Sequence, residues 1–63
     1  MLAEQRARAI LQQISQRKTV SVADLCQTTG ASEATIRRDL NALARQGRLV
    51  KIHGGATSLE EEE

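Results

Sequence analysis

Apolar positions along the chain fall into three helical stretches and one stretch of mixed, strand-like character. Ala3, Ala7, Ile10, Leu11 and Ile14 recur at steps of three and four, the period of an amphipathic helix. The spacing predicts a first helix from about Leu2 to Gln16. Glu4, Arg6, Arg8, Gln12 and Gln13 occupy its polar side, and Arg17-Lys18 puts positive charge at its C-terminal end, where the helix dipole favours it. Thr19-Val20 is a short β-favouring step. Ser21 is suited to cap a second, short helix over 22–28, with Asp24 in its first turn and Val22, Leu25 and Cys26 facing inward. Gly30 stops that helix, because glycine tolerates the left-handed conformation of a C-terminal cap.

Ser32 caps a third helix that runs to about Gln46, with Ile36, Leu40 and Leu43 on its apolar stripe and Gly47 as its stop. Arg48-Leu49-Val50-Lys51-Ile52 reads as a strand. Gly54-Gly55 supplies a turn, and Ala56-Thr57-Ser58-Leu59 can return as its partner. The expected fold is therefore mainly α with a small β-hairpin: three helices closed by a two-stranded wing. It occupies residues 1–59, and Glu60 to Glu63 form an acidic, disordered tail, since four like charges repel and bury nothing.

Composition narrows what such a fold can do. With 63 residues and no aromatic side chain, the chain is one domain with a small aliphatic core. That leaves little room for a ligand pocket of ~300–1,000 Å³, which weighs against a small-molecule enzyme. The net charge of +1 conceals an asymmetry, because residues 1–59 hold nine basic against four acidic side chains, a net of +5. A polyanionic partner fits this balance. A single Cys26 makes no internal disulfide and fits a reducing, cytoplasmic setting. The chain has no membrane-length apolar run and no signal-peptide layout at its start.

Two helices joined by a tight glycine turn, the second well capped, make a helix-turn-helix. Cys26, four residues before Gly30, is small where the two helices cross closely, and Ile36 anchors the second to the first. With Ile36 inward and about 100° per residue, Ala34, Arg38, Asn41 and Arg45 point outward. Glu33 and Arg37 lie on one flank, Thr35 and Asp39 on the other. This face suits a helix N-terminus entering the major groove, where Arg37 and Arg38 can fork onto guanine beside Glu33 and Ala34. Ser32, Thr35, Asn41 and Lys51 are assigned to the DNA backbone. Glu33 has two roles open to it, accepting from cytosine N4 or favouring the helix dipole. Asp39 is read as a brace, paired with Arg37, Arg38 or an arginine of the first helix. His53 is placed near the DNA backbone on the wing or in packing, and Gly54 in a turn that lets the wing approach closely. A lone histidine makes no metal site, and no serine, histidine and acid share a cleft. No cofactor is expected.

Ser32-Glu33-Ala34-Thr35-Ile36-Arg37-Arg38-Asp39-Leu40, followed by Gly47-Arg48-Leu49 and His53-Gly54-Gly55-Ala56, resembles the N-terminal winged helix-turn-helix of the DeoR family of bacterial transcriptional repressors. Arg6, Ile10 and Ile14 also stand at that family's first-helix spacing. Lys51 stands where the family usually has arginine, so the charge is kept and the bidentate fork is lost. The resemblance implies repression of sugar or nucleoside catabolism genes through double-stranded DNA. It also implies a C-terminal domain, outside this chain, that binds a phosphorylated sugar and assembles a homo-oligomer. A winged helix used for protein–protein contact is the main alternative, and the +5 balance and the outward arginines count against it. An RNA-binding winged helix is disfavoured by the lack of stacking aromatics.

Overall fold

The computed structural model describes residues 2–59, so the acidic run Glu60 to Glu63 lies outside the described residues. The elements follow in the order α1 (Ala3–Arg17), β1 (Thr19–Ser21), α2 (Val22–Thr29), α3 (Glu33–Arg45), β2 (Val50–Ile52) and β3 (Gly55–Thr57). The helices fall within about a residue of their expected limits, because local chemistry sets their ends. The Ser21 hydroxyl accepts from the Asp24 N–H at 3.0 Å, and the Ser32 hydroxyl accepts from the Thr35 N–H at 3.2 Å. Both are N-caps that satisfy a helix-start donor. At the far end of α3, the Gly47 N–H donates to Ala44 O and the Arg48 N–H to Leu43 O, both at 3.0 Å. With Gly47 at φ +75°, this is a Schellman stop.

The two-stranded wing grows into a three-stranded antiparallel sheet of order β1-β3-β2. The β-favouring step at Thr19-Val20 becomes its third strand. Thr57 pairs with Thr19 on one side and Val50 on the other, and Gly55 pairs with Ser21 and Ile52. Arg48 and Leu49 precede β2 instead of belonging to it. The turn is also displaced by one residue: His53-Gly54 forms it, with Gly54 at φ +80°, and Gly55 opens β3. Gly55 is needed for closeness, since a Cβ there would stand 2.1 Å from Val20 O. The Val22 N–H donates to Gly54 O at 2.9 Å, which ties the hairpin tip to the start of α2.

The core collects Ile10 and Ile14 from α1, Val22 and Leu25 from α2, and Ile36, Leu40 and Leu43 from α3, sealed by Val20, Leu49 and Ala56. Cys26, Ala7, Leu11 and Ala31 pack at its margin. Ala3, expected on the inner stripe of α1, is exposed because the stripe overruns the core by a turn. One well-covered ion pair ties α1 to α3. Arg6 of α1 grips Asp39 of α3 through both guanidinium and carboxylate forks, Nε donating to Oδ2 and Nη2 to Oδ1 at 3.2 Å. The two side chains are only 16% and 17% exposed. The bond to Asp39 raises the Arg6 pKa above its already high ordinary value, so this end of the pair stays charged. No helix among the described residues is long and apolar enough to cross a membrane.

Gly55→Ala is expected to cost about 3 kcal/mol, the upper range for overpacking, because its new methyl meets backbone on the neighbouring strand. Against a total stability of about 3–9 kcal/mol for a chain of this size, circular dichroism should show a melting temperature lowered by about 12–24 °C, with no folded baseline left at the low end of that stability range. Arg6→Ala and Asp39→Ala should each lower the melting temperature. The double variant should melt no lower than the worse single one, since either change removes the same bond. Strictly additive losses would show that the pair does not act as a unit.

Candidate nucleic-acid interface

α2 and α3 meet through a short turn in which Gly30 holds φ +78° and its N–H donates to Cys26 O at 2.8 Å. Thr29 steadies the turn: its hydroxyl donates to Leu25 O at 2.8 Å and accepts from the Ala31 N–H at 3.2 Å. These bonds fix where α3 begins. Burial of Ile36, Leu40 and Leu43 then fixes its roll about its own axis. The opposite side presents Ala34, Arg38 and Asn41 to solvent, with Ser32 at the tip, all exposed. Asp39 is on the flank turned toward α1, where Arg6 claims it. Of the brace partners that sequence left open, the arginine of the first helix is the one the fold selects.

Seven of the ten residues assigned to the site thus share α3 and its cap: Ser32, Glu33, Ala34, Thr35, Arg37, Arg38 and Asn41. The Ser32 hydroxyl also donates to Thr35 Oγ1 at 3.1 Å, so the two hydroxyls form a linked pair at the helix tip. Glu33 and Arg37 face one another one turn apart at 3.4 Å, both well exposed. An exposed pair of this kind is worth about 0–1 kcal/mol, so Arg37 is only loosely held. The remaining three residues, Lys51, His53 and Gly54, are on the hairpin. Lys51 pairs with Ala56, which pairs with Val20. Directly opposed residues share a face, so Lys51 stands on the helix-covered side of the sheet. It is on an edge strand and remains exposed. His53 is exposed too, in the turn between β2 and β3. Gly54 is part of a tip bound to α2, so the hairpin is a short, fixed wing and not a long free arm.

The charges sort into two sets. Each acid among the described residues has an arginine partner: Glu4 with Arg8, Asp24 with Arg17, Glu33 with Arg37 and Asp39 with Arg6. Five cations have no ion pair among the described residues: Lys18, Arg38, Arg45, Arg48 and Lys51. Arg38 is the unpaired arginine on the outer face near the α3 tip. Arg48 was left out of the sequence-derived site, and Arg45 too, although Arg45 falls on the same outward stripe. A count of which acids each arginine could reach along a helix would have flagged Arg45; Arg48, outside the helices, carries no such signal.

Comparison with known proteins gives the same answer as the fold. The DeoR-like helix-turn-helix domain matches residues 6–62. The chain is 43% identical over 61 residues to the uncharacterised regulator FruR of Bacillus subtilis, covering 97% of this chain and 24% of that protein. It is 49% identical over 53 residues to the L-fucose operon activator of Haemophilus influenzae, covering 84% and 21%. Against the putative galactitol utilization operon repressor of Escherichia coli the figures are 42% over 55 residues, 87% and 49%. The chain therefore spans less than half the length of each of these relatives. No solved structure matches it significantly. With a capped recognition helix, a small sheet and a family match over nearly its whole length, this chain belongs to the DeoR-like helix-turn-helix family.

Proposed function

We propose that residues 1–59 form the operator-reading domain of a transcriptional regulator of carbohydrate-utilisation genes, acting on double-stranded DNA in the cytoplasm. The observation that carries this reading is the outer face of α3, where an unpaired, exposed Arg38 stands beside Ala34 and Asn41 on a helix whose roll is fixed by its buried stripe. Small residues at the tip let the helix enter the major groove, and Arg38 can then fork onto guanine O6 and N7. Arg37 reads beside it once it exchanges Glu33 for a base edge. Ser32, Thr35 and the free N–H groups at the start of α3 hold phosphate. Asn41, Lys51, His53 and Gly54 fix the register on the backbone.

Among the relatives, one is named a putative galactitol utilization operon repressor and another an L-fucose operon activator. Operator reading is compatible with either outcome, and we assign repression here. The relatives' greater length is the basis for placing a further, C-terminal domain outside this chain, and the family resemblance is the basis for assigning to it recognition of a sugar phosphate and assembly into a homo-oligomer.

The test uses the chain itself to select a duplex from a random-sequence pool, followed by titration of that duplex and a scrambled one. Arg38→Ala is expected to lose about 1–3 kcal/mol on the selected duplex and to relax specificity at one position. Equal binding of the selected duplex by wild type and variant would remove Arg38 from the reading face.

A further inference from the structure

Three of the five unpaired cations gather away from the recognition tip. The register places Thr19 and Val50 on either side of Thr57, so β1 and β2 both start at the same end of the sheet. Lys18 leads into β1 at this end, and its carbonyl accepts from the Ser58 N–H at 2.7 Å and the Thr57 hydroxyl at 3.0 Å. Arg48 leads into β2 at the same end, held by its N–H bond to Leu43 O. Arg45 stands just across the Gly47 turn, as the last residue of α3. Three strands span only about 10 Å between the outer two, so Lys18, Arg45 and Arg48 form one basic foot where α3 ends. All three are exposed, and none has an acid partner among the described residues. Attraction to a helix dipole would account singly for Lys18 at the C-terminal end of α1 and Arg45 at that of α3. It leaves Arg48 without a role, and it does not call for the three to share one end of the sheet.

We propose that this foot, Lys18, Arg45 and Arg48, is a second phosphate-binding surface that grips duplex backbone beyond the groove entered by α3. The inference rests on the DNA-binding reading above and extends it to residues on the opposite side of the sheet from the hairpin tip. The distances favour it. Arg45 lies eleven residues beyond Ala34, about 17 Å along the helix at about 1.5 Å per residue. The major groove is about 12 Å wide. A helix whose tip is in the groove therefore carries Arg45 out to the level of the phosphate wall, on the outward stripe it shares with Arg38 and Asn41. Arg48 then continues the positive surface past the helix, and Lys18 extends it across the sheet end. These contacts read no bases. They add affinity for any sequence and strengthen its dependence on salt.

The test is a salt titration of the 63-residue chain on a random-sequence duplex pool, comparing Lys18→Ala, Arg45→Ala and Arg48→Ala with wild type. Arg8→Ala, which removes a charge already paired with Glu4 on α1, is the control. Each foot variant should shallow the slope of log K against log salt by about 1, with the same fractional loss on the selected and the scrambled duplex. Arg8→Ala should leave the slope unchanged. Arg45→Lys and Arg48→Lys should restore it, because a phosphate contact needs the charge and not the fork. Circular dichroism checks that each variant is folded, and alanine at position 18 keeps the same backbone demand as lysine. Wild-type slopes in all three alanine variants, with Arg38→Ala still impaired, would overturn the foot and leave the recognition face standing. Failure of the wild-type chain to bind any duplex at low salt would overturn both.

Discussion

The sheet closes because Gly55 has no Cβ. Its backbone lies so near Val20 O that any side chain would push β3 away from β1. β3 is the central strand, and this approach holds it in register against β1 while β2 pairs along its other edge. It brings Val20 and Ala56 together on the inner face, where they complete a core that has no aromatic residue to fill gaps. It also carries the hairpin tip to α2, where Gly54 accepts from Val22. A core built from ten small aliphatic side chains depends on such closeness, since dispersion falls steeply with each added half-ångström of gap.

On that frame, polar chemistry divides between holding and offering. The acids hold. Asp39 is drawn off the recognition helix toward α1 by Arg6, so a carboxylate next to Arg38 in sequence is turned aside and neutralised before any polyanion approaches. The helix roll that buries Ile36 and Leu40 is the same roll that hands Asp39 to Arg6 and leaves Arg38 outside. Apolar packing and the ion pair thus specify one orientation by independent means. The unpaired cations are what remains to offer, and they fall along the outer side of α3 and around the ends of the sheet.

Lys18 shows what the small sheet demands of its connections. It takes φ +71°, a conformation that costs a non-glycine residue of order 1–3 kcal/mol, so that α1 can end and β1 begin without a longer loop. The strain is held by three backbone or hydroxyl bonds: its N–H to Ile14 O, and its carbonyl to Ser58 and Thr57. The same residue thereby fixes the end of β3, the last strand before the acidic run.

Much of this was legible in the residue order. Serine caps, glycine stops and the period of apolar residues determined three helices to within about a residue, because those signals act over a single turn. The outward placement of Ala34, Arg38 and Asn41 also followed from helical geometry alone. The third strand did not follow, because three residues at 19–21 form a strand only once a partner is beside them. Nor did the role of Gly55, which reads as a turn residue beside Gly54 and proves to be a contact point with Val20. The partner of Asp39 lay 33 positions away, and the foot of Lys18, Arg45 and Arg48 joins residues 30 apart. Sequence by itself determined the helices, their caps and the face of α3 that looks outward, since each depends on neighbours within a turn. Only the tertiary structure decided the sheet, the brace and the gathering of free charge, since each depends on which distant backbone or side chain the packed core brings within reach.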